Sequence, residues 1–170
     1  MLAYVFWHRP AGAGGAAYEA RLAAFHRALG RTSAALWRPA LPWLAGAGPG
    51  YEDWYLVADW AALGELNTAA VTAARAAPHE AVAALAGAGV AGIYAPVHGP
   101  ADLALPWAAW LSKPAGAGYP EWHAELARTG AAVWQRQMTL GPAPEYCVRA
   151  AAPVELGRAA LALPGRVVFP

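Results

Sequence analysis

The sequence predicts an α+β fold made of two β-α-β-β-α-β halves, and two observations carry this prediction. The five letters Pro-Ala-Gly-Ala-Gly at residues 10–14 return at residues 114–118, each time between a short aromatic run and a segment that begins with tyrosine. Around both copies, short apolar runs alternate with segments of helical periodicity. We therefore expect a first half at 1–98, a linker at 99–105 and a shorter second half at 106–170.

The first strand is predicted at residues 2–9, where aromatic and β-branched residues stop at a cluster of proline and glycine. A helix follows the glycine-rich turn. Four side chains of that segment share one helical face: Tyr18, Leu22, Phe25 and Leu29. Gly30 is expected to end this helix, because glycine readily adopts the left-handed conformation that closes helices.

The rest of the first half is predicted from apolar runs between glycines and prolines: strands at 33–41 and 53–59, a helix at 61–76, a helix that begins at Pro78, and a strand at 90–97. Gly87 and Gly89 are expected to end the last helix. This order of elements is that of the ferredoxin-like fold.

The second half is predicted from strands at 108–112, 132–134, 145–148 and 166–169 and from a helix at 119–128. Sequence similarity aligns three pairs of residues across the halves: Ser112 with His8, Trp134 with Trp37, and Cys147 with Tyr55. Two such antiparallel sheets can cover the face that each would leave in water. We therefore expect them to pack face to face as a pseudo-dimeric α/β barrel with the helices outside.

This layout resembles the dimeric α/β-barrel superfamily, which includes antibiotic-biosynthesis monooxygenases, EthD-like and NIPSNAP-like proteins, and a haem-binding group. The resemblance rests on the opening strand that ends Trp7-His8-Arg9-Pro10 and on the helical segment 18–26. The first half is similar to the EthD pattern of a strand, an Arg-Pro-Gly turn and a helix that carries Phe and then His. The resemblance implies a ligand between the sheet and the helices of one half.

Three residues are expected to be catalytic: His8, His26 and Tyr55. Imidazole titrates near neutrality, so these residues could position or deprotonate a substrate. Four residues are expected to contact the ligand: Arg38, Asn67, His79 and Trp37. Each histidine also has a structural explanation: a hydrogen bond at the sheet edge, a helix boundary or a solvated helix start.

The second half has no matching set of polar residues, because the sequence alignment places Ser112, Ala127 and Cys147 where the first half has His8, His26 and Tyr55. This asymmetry favours a pocket in the first half. Sequence drift after a duplication explains the asymmetry equally well.

The resemblance implies a small-molecule-binding protein or a cofactor-independent enzyme that acts on an apolar, possibly aromatic ligand. One alternative is a non-catalytic binding or structural protein of the same fold, whose core is filled by its own tryptophans and tyrosines. A haem-binding protein is a third, and it would need an axial histidine in an apolar pocket. No other cofactor is predicted. No metal site is predicted either, because the sequence has no His-x-x-x-His and no cysteine pair.

Composition excludes several other classes of function. The formal net charge is +1 and no block of like charges occurs, which argues against a nucleic-acid partner. No apolar run is long enough to predict a membrane-spanning helix or a targeting segment. The single Cys147 is compatible with a reducing cytoplasm. We expect a cytoplasmic monomer or homodimer.

Overall fold

The computed structural model describes residues 1–12, 14–46, 48–157 and 160–170. These ranges contain nine strands: β1 (Leu2–Pro10), β2 (Ser33–Arg38), β3 (Gly50–Val57), β4 (Ala86–His98), β5 (Trp107–Leu111), β6 (Ala132–Arg136), β7 (Tyr146–Ala150), β8 (Leu161–Leu163) and β9 (Arg166–Phe169). They also contain four α-helices: α1 (Ala16–Leu29), α2 (Trp60–Ala70), α3 (Ala76–Ala83) and α4 (Tyr119–Ala127). A single 3₁₀ turn, Ala73–Arg75, precedes α3.

All nine strands belong to one antiparallel sheet in the order β8-β5-β7-β6-β4-β1-β3-β2-β9. The first four strands of the chain lie together as β4-β1-β3-β2, and the next four lie together as β8-β5-β7-β6. Pairing of β4 with β6 joins the two groups. The predicted α+β class is therefore confirmed. No helix in the described part of the chain is long and apolar enough to cross a membrane.

The two end strands of the sheet are neighbours in the chain, because only Pro164 and Gly165 separate β8 from β9. The sheet must therefore curl until its ends approach each other. Arg38, at the end of β2, donates hydrogen bonds to the carbonyl oxygens of Pro106 and Leu163, the latter at 2.9 Å. No ladder joins β8 to β9 among the described residues. The sheet is thus curled but not closed.

Aromatic side chains fill the inner face of the curled sheet. Five of them come from five different strands: Trp7, Trp54, Tyr94, Trp110 and Trp134. Rings from opposite parts of the sheet meet there, with 5.4 Å between the centroids of Trp7 and Trp110 and 5.3 Å between those of Trp54 and Trp134. The sheet is therefore held in its curl by one shared core.

A buried ion cluster lies within this core. Glu52 accepts hydrogen bonds from Arg38 at 2.7 Å, from the Trp54 indole at 2.8 Å and from the Trp7 indole at 3.1 Å. Burial alone would raise the pKa of Glu52, but Arg38 and Arg149 hold that pKa below its usual range. The Arg149 guanidinium lies 4.4 Å from the centre of a Trp54 ring, and burial lowers its pKa to about 10.

The segment predicted as a linker packs against this core. Arg149 donates hydrogen bonds to the carbonyl oxygens of Leu103 and Leu105 at 2.9 and 2.8 Å. The side chain of Leu103 is buried among the residues of the inner face. The connection between β4 and β5 is therefore held in place by the second group of strands.

The outer face of the sheet carries the helices. Residues of α1, α2 and α3 pack against β1, β3 and β4, while Trp122 and Leu126 of α4 pack against Val133 and Tyr146. Gly30 follows α1 in the left-handed region, with a φ of 63°, as predicted. Between β7 and β8 the described residues hold no helix, although the repeated pattern predicts one there.

Gly87 and Gly89 correct one expectation, because they lie inside β4 and do not end a helix. A Cβ atom on Gly89 would lie 2.7 Å from the ring of Phe6, and one on Gly87 would lie 2.9 Å from the backbone of Ala11. Glycine is therefore needed at these positions so that β1 and β4 can approach closely. The first copy of the repeated turn connects β1 to α1, and its Ala13 lies outside the described residues.

Candidate functional site

A cavity of about 410 Å³ lies between the outer face of the sheet and the helices α1, α2 and α3. Its volume is in the range of small-molecule sites in proteins. Most of its lining is apolar or aromatic, including Tyr4, Phe6, Phe25, Leu66 and Ile93. The cavity therefore suits a largely apolar ligand.

The floor of this cavity is polar, because three residues from three elements meet there. Strand β1 presents His8 on the same face as Phe6, strand β3 presents Asp53, and helix α1 presents Tyr18. His8 Nε2 lies 3.0 Å from Asp53 Oδ2, and His8 Nδ1 lies 2.7 Å from the Tyr18 hydroxyl. The result is a hydrogen-bonded chain, Tyr18–His8–Asp53, that reaches the ligand space.

The ionised state of Asp53 determines which atoms of this chain donate hydrogen bonds and which accept them. Burial alone would raise the pKa of Asp53, but the neighbouring His8 and His26 outweigh burial and hold that pKa well below its usual range. An ionised carboxylate only accepts hydrogen bonds, so His8 Nε2 is the donor. In neutral His8 the other nitrogen then accepts the proton of Tyr18. Burial and the nearby Asp53 raise the pKa of Tyr18, which keeps its hydroxyl protonated.

A second imidazole, that of His26, contacts Asp53 from outside the cavity lining. His26 Nε2 lies 3.6 Å from Asp53 Oδ2 and 3.4 Å from the Tyr55 hydroxyl, which itself donates to Asp53 at 3.1 Å. His26 Nδ1 lies 2.8 Å from Ser33 Oγ. The ring of His26 stacks on Tyr55 and also on Phe169 of β9. These contacts fix the orientation of Asp53.

The structure brings together most of the residues that the sequence singles out. His8, Tyr55, Asn67 and His79 line the cavity. His26 is outside the lining but belongs to the same hydrogen-bond network. Asn67 and His79 lie on the helical side, opposite the floor.

Arg38 and Trp37 correct the expected set of ligand contacts. Arg38 points to the inner face of the sheet, where it binds Glu52, because side chains alternate between the faces of a strand. Trp37 packs beside Tyr18 and Leu22 and is not part of the cavity lining. Arg38 is therefore structural, and Trp37 supports α1.

Asp53 and Tyr18 are functional candidates that the sequence reasoning missed. Asp53 lies two residues before Tyr55 in a strand, so the period of two alone places both side chains on one face. Tyr18 belongs to the apolar stripe of α1, and that pattern carries no signal for a functional hydroxyl. A carboxylate inside an apolar strand is the signal that could have found the site.

The strand ladders also correct the alignment between the halves. His8 pairs with Tyr51 in β3, and the residue that pairs with Tyr146 in β7 is Leu111. Trp110 lies on the inner face with Trp7, whereas the repeated turn aligns it with Phe6 on the outer face. A shift of one residue moves a side chain to the opposite face of a strand. Three alignments are therefore wrong: Ser112 with His8, Trp134 with Trp37, and Cys147 with Tyr55.

The corrected register keeps the asymmetry between the halves. When Tyr146 is aligned with Tyr51, Val148 and Ala150 take the places of Asp53 and Tyr55, and Leu111 takes that of His8. The second half therefore has apolar side chains at the three strand positions that form the polar floor in the first half. With this alignment, the described residues of β5 and β7 hold no counterpart of His8, Asp53 and Tyr55.

No family model, curated protein or solved structure matches this chain. Within the described ranges, no group of three or more His, Cys, Asp or Glu side chains is placed to hold a metal ion. A haem iron would need an imidazole nitrogen, and those of His8 and His26 face internal partners, which leaves His79 as the candidate ligand in the cavity.

Proposed function

We propose that this protein is a cofactor-independent enzyme that binds an apolar, aromatic small molecule in the cavity beneath α1–α3 and removes a proton from it. The observation that carries the proposal is the Tyr18–His8–Asp53 chain at the floor of an otherwise apolar cavity. Polar groups that converge in an apolar pocket are typical of active sites.

The chain of hydrogen bonds supplies a route for the proton. A proton leaves the ligand for the Tyr18 oxygen while the proton of Tyr18 moves to His8 Nδ1. The products are a ligand anion and an imidazolium, and the imidazolium is paired with the Asp53 carboxylate 3.0 Å away. A general base held in place in this way accelerates a reaction by roughly 10²- to 10⁴-fold. The raised pKa of Tyr18 argues for a relay and against a phenolate nucleophile.

The same proposal includes the finer architecture, two fused ferredoxin-like halves that form a pseudo-dimeric α/β barrel. It is supported by the identical strand order of the two groups. When Tyr51 is aligned with Tyr146, it is also supported by two further identities in the ladder-based register, Trp7 with Trp110 and Arg38 with Arg136. On this basis the chain is a remote relative of the dimeric α/β-barrel superfamily.

Binding in the cavity is tested by calorimetric titration with 2-naphthol, an apolar aromatic probe of suitable size. Ala70→Trp places an indole in the cavity wall, so we expect it to weaken binding by at least about tenfold. Ala61→Trp makes the same change in the same helix but outside the lining, and it should bind as the wild type does. Equal affinities for the two variants would contradict the proposed location.

The proton-transfer step is tested by the absorbance of bound 2-naphthol as the pH is raised. We expect bound naphthol to ionise at a lower pH than free naphthol, because its proton passes through Tyr18 to His8 and the Asp53 carboxylate stabilises the imidazolium. His8→Gln should abolish this difference, and His123→Gln in the second half should retain it, since His123 contacts Tyr146 far from the cavity. Tight binding with no shift in ionisation would instead support the alternative of a non-catalytic binding protein.

A further inference from the structure

The floor of the cavity offers a hydrogen-bond acceptor that no side chain satisfies. Asp53 Oδ2 meets His8, Tyr55 and His26. Asp53 Oδ1 is buried and has no hydrogen-bond partner among the described residues. Asp53 itself belongs to the cavity lining. A buried carboxylate oxygen is strongly destabilising unless a donor reaches it.

The two tyrosine hydroxyls of the floor have no proton to offer this oxygen. The Tyr55 hydroxyl donates to Asp53 Oδ2, and the Tyr18 hydroxyl donates to His8 Nδ1 when the imidazole is neutral. A hydroxyl carries one proton and two lone pairs, so what both tyrosines still offer is an acceptor. Around Asp53 the floor therefore presents acceptors to the ligand.

Resting on the proposed function, we infer that the ligand carries a hydrogen-bond donor, a hydroxyl or an N–H group, on its aromatic body. The donor is received by Asp53 Oδ1, and the Tyr18 oxygen on the other side of the His8 ring is a second acceptor in the lining. The rings of Phe6, Phe25 and Tyr4 surround the apolar part. A ligand whose only polar atom is an acceptor, such as an ether or ester, places two acceptors against each other and is rejected. The same donor group supplies the proton that the relay to His8 removes once that group turns from Asp53 to the Tyr18 oxygen.

The inference is tested with two probes that share the naphthalene ring system. 2-Naphthol donates a hydrogen bond, whereas the oxygen of 2-methoxynaphthalene only accepts. Sites built to bind a ligand hydroxyl discriminate strongly against analogues that lack it, so we expect 2-naphthol to bind at least about tenfold more tightly. Calorimetry of both probes in the same buffer at the same pH keeps the comparison matched. A smaller ratio overturns the inference.

A third probe, 2-(aminomethyl)naphthalene, separates the two kinds of donor. Tighter binding than that of 2-naphthol identifies an ammonium ligand that pairs with the Asp53 carboxylate, and weaker binding identifies a neutral hydroxyl. Both results keep the requirement for a donor. If 2-methoxynaphthalene binds as tightly as 2-naphthol and Ala70→Trp still blocks both, the inference fails while the proposed function survives. If none of the probes binds, the proposed function itself fails.

Substitutions locate the acceptor. Asp53→Asn presents an amide that can donate, so the preference for 2-naphthol over its methyl ether should fall to near unity. Tyr18→Phe removes the second acceptor and should reduce the preference even if Asp53→Asn does not fold. Tyr51→Phe is the matched control, because the Tyr51 hydroxyl donates to Glu19 and Tyr51 is not part of the lining. An undiminished preference in Tyr18→Phe, or in a folded Asp53→Asn, overturns the inference.

Discussion

Asp53 shows how a single buried carboxylate can organise a site. Taking an isolated carboxylate out of water is strongly unfavourable, so its stability depends on the two imidazoles and the phenol around it. Those partners are drawn from β1, β3 and α1. The same interactions that keep Asp53 charged also hold His8 in the orientation that a base requires.

The contribution of a buried ion pair to stability can be measured by substituting Arg38. Its partner Glu52 is fully buried, so Arg38→Met removes the only cation that the structure shows hydrogen-bonded to Glu52 among the described residues and should lower the free energy of unfolding by about 3–5 kcal/mol. Arg166→Met is the matched control, because the Arg166 side chain is 55% exposed in its ion pair with Glu19 and should contribute less than about 1 kcal/mol. Urea denaturation measures both values. Similar losses for the two variants would contradict the structural role given to Arg38.

At the scale of the element, two glycines in the first half should respond in opposite directions to the same change. Gly64 lies in α2 with open space around it, so Gly64→Ala should stabilise the protein by about 0.5–1 kcal/mol. Gly89 lies in β4 against the ring of Phe6, so Gly89→Ala should destabilise it by about 1–3 kcal/mol. Thermal denaturation gives both signs. Stabilisation by Gly89→Ala would show that β1 and β4 are less closely packed than described.

Local patterns in the sequence predict the elements better than they predict the register. The last strand, Arg166–Phe169, has the predicted bounds, and α4 begins at Tyr119 as predicted. Apolar periodicity is a local property, so it identifies such segments. The faces of Trp110 and Cys147 depend on ladders between distant strands, and one extra residue in a turn reverses them.

The candidate site was partly predictable for the same reason. His8 and Tyr55 are polar residues on strands whose outer face is covered by helices. The element order therefore predicts that both side chains lie between the sheet and the helices. The roles of Asp53 and Tyr18 depend on which side chains meet across three elements. The periodicity of a single segment does not show which side chains of other segments it will contact.

At the scale of the whole molecule, the two groups of strands share one core and should unfold together. Trp7 and Trp54 of the first group contact Trp110 and Trp134 of the second. Tryptophan fluorescence and far-ultraviolet circular dichroism should therefore report a single, coincident transition in urea. Two separate transitions would contradict a common core.

A substitution in the second group should accordingly destabilise the first. Trp110→Ala removes a buried ring and should lower the stability by about 3–5 kcal/mol. Amide hydrogen exchange in β1 and β3 should then accelerate as much as exchange in β5 and β7. Trp60→Ala is the control, because that ring is 51% exposed and its loss should change the stability by less than about 0.5 kcal/mol.

The most direct test of the central claim, that the cavity of the first half is the ligand site, is a crystal structure of the protein with 2-naphthol. The account predicts naphthol between the sheet and helices α1–α3, with its hydroxyl within hydrogen-bond distance of Asp53 or Tyr18. Naphthol bound at another surface would contradict the account. So would a crystal in which naphthol is not bound and the side chains of Phe6 and Phe25 fill the cavity.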